Sequence, residues 1–154
     1  MRAGSAYDRE WRREFAHSLY ILVWNGVLRI LDPYSWQEVG TRSDGKQMVD
    51  TDFHGIDRSD VVVFNLTGLT ENYPCIGTLV ELGRTTAAKK LVYVIMPKGH
   101  TFPVEGVPGL HPFIKHNATA IFETEDECLD YLIDVLPQLE RSGGEHAVHF
   151  SGTA

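Results

Sequence analysis

Two short apolar runs constrain this chain more than anything else in it. They are Val61-Val62-Val63-Phe64 and Leu91-Val92-Tyr93-Val94-Ile95-Met96. Neither run alternates. A strand with one wet face alternates, whereas an unbroken β-branched run marks a strand buried on both faces, the situation of a parallel sheet covered by helices. Residues 77–89, between the runs, read as a helix. The spacing therefore predicts a strand–helix–strand unit with 61–64 and 91–96 adjacent and parallel.

The rest of the chain repeats that alternation. Tyr7, Trp11, Phe15, Leu19 and Val23 recur every fourth residue with Leu22 beside them, one face of an amphipathic helix. Ser5 can cap its start, and Asp8 suits the N-terminal dipole. Asn25-Gly26 fits either a hairpin turn between 20–24 and 27–31 or a helix C-terminus with Gly26 just past the end. The long periodic run before it favours helix, then a strand over 27–31 ending at Asp32-Pro33. Residues 34–46 are polar and read as a loop. Met48, Phe53 and Ile56 space a helix ending near Arg58. Residues 67–75 form a loop, and 97–117, with Pro97, Pro103, Pro108 and Pro112, read mostly as another. A last strand is expected over 119–122. Thr124 and Glu127 make a capping box for a helix that buries Cys128, Leu129, Tyr131, Leu132, Val135 and Leu136, with Pro137 ending or kinking it. Residues 141–145 read as a hinge into a short C-terminal strand or arm. The fold class expected is one doubly wound α/β domain over 1–142, a mostly parallel sheet with helices on both faces, followed by a tail over 143–154.

A length of 154 residues suits one domain with a proper core. The formal charge of −7 argues against a nucleic acid polymer as partner, because an acidic surface repels phosphate backbones. No apolar run approaches a membrane span, and no signal peptide is visible at the N-terminus. Cys75 and Cys128 show neither a CxxC pair nor metal spacing, which points to a reducing, cytoplasmic setting. His54, His111 and His116 lack zinc spacing, so no metal and no cofactor is expected.

Sheets of this kind bind ligands at the carboxyl ends of their strands, here the loops after Asp32, Asn65 and Met96. Glu81 stands near the start of the helix that follows the first buried strand. A carboxylate there can stay ionised at the helix N-terminus. Gly77 would let backbone approach a ligand, and Thr78 offers a hydroxyl at the same place. A solvated glutamate on an amphipathic helix fits the same pattern. Asp52 lies on the preceding helix with Asp50 and Asp57; at least two of these three suit a surface role. Two carboxylates near an anomeric carbon can divide the work, one attacking while the other orients or transfers a proton. Trp36 and Tyr34 could stack on a base or pack on their own domain. Cys75 reads as a small pocket-lining residue. His146, His149 and Phe150 either close a site or belong to a frayed tail.

In combination, these residues resemble the nucleoside 2-deoxyribosyltransferase family, including its relatives that hydrolyse nucleoside monophosphates. The matching positions are Ala3-Gly4-Ser5, Trp11, Asp32-Pro33, Asp52 with Ile56 and Asp60, and Gly77-Thr78 with Glu81-Leu82-Gly83. The last block is the most specific, and the resemblance covers most of residues 3–96. It implies that Glu81 attacks C1′ as nucleophile and that Asp52 is the acid assisting it. Gly4, Ser5, Trp36, Asn65, Cys75, Gly77 and Thr78 would line the sugar, the base or the 5′ end. Asn117 would reach the 5′ group of a neighbouring subunit's ligand, so a homodimer or higher homo-oligomer is implied.

Two departures stand out. The family's first strand, central in the flavodoxin-like order 2-1-3-4-5, is reduced here to residues 1–4. Either the strand is a shortened stub, another segment fills its slot, or the sheet is built differently; a shortened first strand is the expectation. The aspartate often found six positions before the nucleophile is Cys75 here, which shifts weight towards nucleotides. The activity implied is cleavage of a nucleoside N-glycosidic bond, with the deoxyribosyl group passed to another base or to water. The alternatives are a nucleoside 5′-monophosphate N-glycosidase using the same Glu81, and a nucleotide-binding module without turnover.

Overall fold

The two apolar runs do form neighbouring parallel strands. The computed structural model describes residues 4–32, 45–68, 76–96, 111–139 and 146–152. Within them β2 (Val61–Asn65) and β3 (Leu91–Ile95) pair in parallel, Val61 opposite Leu91 through Asn65 opposite Ile95. Every residue of β2 is buried, as is β3 from Val92 onward. The remaining strands are β1 (Leu28–Leu31), β4 (Ala120–Phe122) and β5 (His146–Gly152). The helices are α1 (Gly4–Ser18), α2 (Tyr20–Trp24), α3 (Gly45–Arg58), α4 (Ile76–Ala87), α5 (Pro112–Asn117) and α6 (Glu125–Leu139).

The sheet runs β1-β5-β2-β3-β4, all parallel. The strand order corrects the expected shortened first strand. Gly4 opens α1, so no stub from that residue enters the sheet. The slot between β1 and β2 is filled by β5, so the connectivity is not strictly flavodoxin-like although the slot is kept. A gap there would leave unpaired the backbone groups along one edge of β1 and one edge of the fully buried β2, which is costly. β5 satisfies both edges: Leu28 to Leu31 lie opposite His146 to His149, and Val61 to Asn65 opposite Val148 to Gly152. Asp60 fixes the register at the amino end. Its carboxylate accepts from the Ala147 N–H at 2.9 Å, and its own N–H donates to the Ala147 carbonyl at 2.8 Å. The segment expected as a C-terminal strand or arm is thus the central strand.

Helices cover both faces. Trp11, Phe15, Leu19 and Leu22 pack with Cys128, Leu132 and Leu136 of α6 against Val61, Val63, Tyr93, Val148 and Phe150. On the other face Leu82 of α4 and Ile114 of α5 meet Val62, Phe64, Val92 and Val94. The N-terminal helix breaks at Leu19 rather than running to residue 23. A repeat of four drifts against a true period of 3.6, so Leu22 is buried and Val23 is exposed. Ser5 lies inside α1, not at its cap. Asn25-Gly26 is a helix end and not a hairpin. Gly26 has φ +70°, the Gly26 N–H donates to the Val23 carbonyl at 3.1 Å, and the Val27 N–H donates to the Leu22 carbonyl at 2.9 Å. That pair of bonds is the Schellman closure, which needs the left-handed residue.

At α6 the Thr124 hydroxyl accepts from the Glu127 N–H at 3.2 Å, as the capping box requires. The Glu127 carboxylate reaches one residue further back, to the Glu123 N–H at 2.9 Å. The helix continues through Pro137 to Leu139 instead of ending there. Burial pushes the Cys128 thiol up to about 12, which makes it an inert core residue. Among the described residues no helix is long and apolar enough to cross a membrane.

Candidate active site

The three aspartates of α3 separate by environment. Asp50 pairs with Lys46 one turn away, both exposed. Asp57 receives both arms of the Arg84 guanidinium, at 3.1 and 2.6 Å, also at the surface. Asp52 turns inward. Its Oδ1 is buried and finds no hydrogen-bond partner among the described residues. A buried carboxylate oxygen without a donor is costly to keep and points to a functional site. Burial pushes the Asp52 carboxyl up to about 6 despite the opposing charge of Arg12.

Glu81 is delivered by α4, which lies beside α3 and also touches β5. It is three residues, nearly a full turn, past the buried Thr78, so its side chain leans towards the sheet. The Ser151 hydroxyl of β5 donates a hydrogen bond to Glu81 Oε2. Burial pushes the Glu81 carboxyl up to about 7; the Ser151 bond and Arg12 pull it down, and the negative charge of Asp52 adds to the rise. Asp52 and Glu81, from two helices, therefore share one electrostatic environment.

Two further charged or titratable groups enter it. Arg12 of α1 is only 4% exposed and pairs with Asp32, just past the end of β1, at 3.6 Å. Its cation acts on Asp52, Glu81 and His149. His149, on the central strand, is fully buried. Burial first, then the Arg12 charge, push it down to about 3 against a smaller upward pull from the Leu31 backbone, so the ring is neutral. Asp32, Ser151 and Glu81 all lie towards the carboxyl ends of β1, β5 and β2, where a sheet of this kind opens its crevice.

The other residues singled out by sequence fall unevenly. Thr78 is buried in the first turn of α4. Gly77 is exposed, and a Cβ built on it meets no described atom within 4 Å, so the described fold does not itself demand glycine there. Asn65 has its amide engaged by the protein: Nδ2 donates to Glu125 at 2.8 Å, and Oδ1 accepts from the Thr67 N–H at 3.0 Å and hydroxyl at 2.7 Å. Asn117 ends α5. It precedes Thr119, whose N–H and hydroxyl bond the backbone of Val92 near the start of β3, at 2.7 and 2.9 Å. It therefore lies at the amino end of the sheet, away from Glu81 of the same chain. Trp36 and Cys75 lie outside the described residues, as do Tyr34 and most of the 97–117 loop. Gly4 and Ser5 are placed only as the first residues of α1.

Arg12 and Ser151 were not singled out from sequence. A signal for Arg12 exists: with Phe15, Leu19 and Leu22 it keeps the 3-4-3 spacing of the buried stripe, an odd place for a cation. Among the described residues no group of three His, Cys, Asp or Glu side chains could hold a metal ion.

The fold is a doubly wound α/β domain in which two helices, α3 and α4, bring the raised carboxyls of Asp52 and Glu81 within electrostatic reach of each other. Residues 3–141 match the nucleoside 2-deoxyribosyltransferase family, and the chain belongs to that family. At this level its chemistry is glycosyl transfer from nucleosides. No curated protein and no solved structure matches the chain. β5 falls beyond the matched residues.

Proposed function

We propose that the protein cleaves the N-glycosidic bond of a deoxynucleoside through a covalent glycosyl–Glu81 intermediate and passes the sugar to another base or to water. The observation that carries this reading is that α3 and α4, which lie against each other, each bring a carboxyl raised by burial, Asp52 and Glu81, with the charge of Asp52 acting on Glu81. Glu81 attacks C1′ as the carboxylate. The C1′–N bond breaks, its electron pair leaves with the base, and the base nitrogen takes the proton held by Asp52. In the second step water or an acceptor base attacks C1′ and returns a proton to Asp52 as Glu81 departs. Two inversions give net retention.

The pH dependence follows from the protonation states required. Glu81 must be ionised and Asp52 protonated. With Glu81 at about 7 and Asp52 at about 6, that combination is most populated between the two values and falls away on both sides. The expected kcat/KM profile is a narrow bell centred in that interval. Asp52→Asn removes the alkaline limb. The one limb that remains reports Glu81 itself and lies below about 7, since the Asp52 charge is one cause of the rise in Glu81. A profile flat across both values, or an unchanged alkaline limb in Asp52→Asn, would sink the assignment of the acid.

The same reading places Asn117 near the crevice of another copy, because its own Glu81 lies at the opposite end of the sheet. The expected species is a homodimer or larger. Light scattering that gives a monomer at assay concentrations removes the shared site.

A further inference from the structure

We propose that Ser151 is a positioning residue for the nucleophile, so that the central strand β5 is part of the catalytic apparatus as well as of the sheet. The proposal rests on Glu81 being the nucleophile.

Geometry carries it. β5 outruns β1: their pairing ends at Leu31 opposite His149, while β5 continues along β2 to Gly152 opposite Asn65. Ser151 therefore stands at the open end of the sheet, with β2 as its one neighbour among the described strands. The residue is 2% exposed, and its hydroxyl donates to Glu81 Oε2 across 70 residues of sequence. Alternation along the strand sends Val148 and Phe150 into the core with α1 and α6 and leaves Ser151 on the opposite face, towards α4. Held by Oε2, the carboxylate of Glu81 would present its other oxygen to an anomeric carbon. A hydroxyl that donates to a carboxylate also favours its ionised form.

The charged and titratable groups around Glu81 come from three other elements among the described residues. Asp52 on α3 opposes ionisation of Glu81, Arg12 on α1 favours it, and neutral His149 sits two residues before Ser151 on the same face of β5. The Ser151 bond is the contact that acts on Glu81 directly.

The test is a pair of substitutions read in two ways. Ser151→Ala removes the donor; Ser151→Thr keeps it. The Glu81 carboxyl is titrated by carbon NMR of the labelled protein, and kcat and KM are measured across pH on the nucleoside that the parent cleaves best. In Ser151→Ala the Glu81 titration is expected to move up by about one pH unit and, because the productive form needs Glu81 ionised with Asp52 protonated, the alkaline limb of kcat moves up with it, with kcat about tenfold lower and KM within about twofold. Ser151→Thr is expected to restore both. A Glu81 titration that does not move in Ser151→Ala overturns the proposal, as does a loss that Ser151→Thr fails to recover although that variant is folded. Should Ser151→Ala not fold, Ser151→Thr with a Glu81 titration shifted up as if the donor were gone has the same effect. The NMR reading needs no turnover. If Glu81 titration responds while Glu81→Gln still turns over, the positioning contact stands and the nucleophile assignment fails.

Discussion

Glu81→Gln is expected to lose at least about 1000-fold in kcat, or about 4 kcal/mol of transition-state stabilisation, while still folding and binding nucleoside. Breaking the N-glycosidic bond builds positive charge at C1′. A glutamine has the shape of the carboxylate but neither its charge nor its capacity to form the ester. The same variant is expected to be more stable than the parent, and the sign can be worked out. Glu81 titrates at about 7 in the folded protein against an ordinary 4.5. Between those values the unfolded chain has released the proton while the folded one still holds it, so folded stability falls as pH rises through that window and the full penalty applies above about 7. Glutamine escapes it. Allowing for the partial exposure of the side chain, the gain above pH 7 is on the order of 2 kcal/mol, vanishing below about pH 4.5. Single-turnover release of free base and urea midpoints at two pH values check the two halves. Turnover at the parent's rate means that Glu81 is not the nucleophile. A parent that releases no base from any nucleoside or nucleotide makes the binding-module reading the better one.

Phe150→Ala is expected to cost about 3–5 kcal/mol, the range for deleting a buried aromatic ring. Phe150 is fully buried on the central strand and meets Trp11 and Phe15 edge-on, with ring centroids 5.9 and 5.6 Å apart. The loss is a large share of the roughly 5–15 kcal/mol that holds a domain together. Were residues 146–152 a frayed arm, the same change would lie within about 0.5 kcal/mol. Chemical denaturation separates these outcomes, and a loss below about 1 kcal/mol would be incompatible with β5 as the centre of the sheet.

β2 and β3 were legible because burial on both faces leaves a strand no room for polar residues. The Schellman end at Gly26 and the Thr124 cap were legible because each needs particular residues at fixed offsets. β5 was not, for a reason tied to its use. His149 and Ser151 interrupt an otherwise apolar Ala147-Val148-Phe150 strand, and they fall on the face that carries Glu81 and Asp52. A central strand that lends side chains to a polar crevice loses the pattern by which central strands are recognised. Asp52 could be numbered from sequence but not told apart from Asp50 and Asp57. Their difference lies in partners, Lys46 and Arg84, that depend on how α3 rotates and on its neighbour α4. Arg12 was hidden in the same way, since its burial depends on Asp32 being brought over it by β1.

The placement of β5 also sets an order of events during synthesis. It is last in sequence among the described elements, yet it joins β1 to the rest of the sheet; the clasp between Asp60 and Ala147 spans 87 residues. Until β5 emerges from the ribosome, β1 has no partner among the described strands, and of these β2 can pair only with β3. Two apolar strand edges wait in the open, the exposure that invites association between nascent chains. Closing the sheet means drawing together its most distant segments, a step that loop entropy makes slow. Folding of this chain is therefore expected to finish in a single late event, with the nucleophile's hydroxyl partner arriving in the same stroke as the keystone of the sheet.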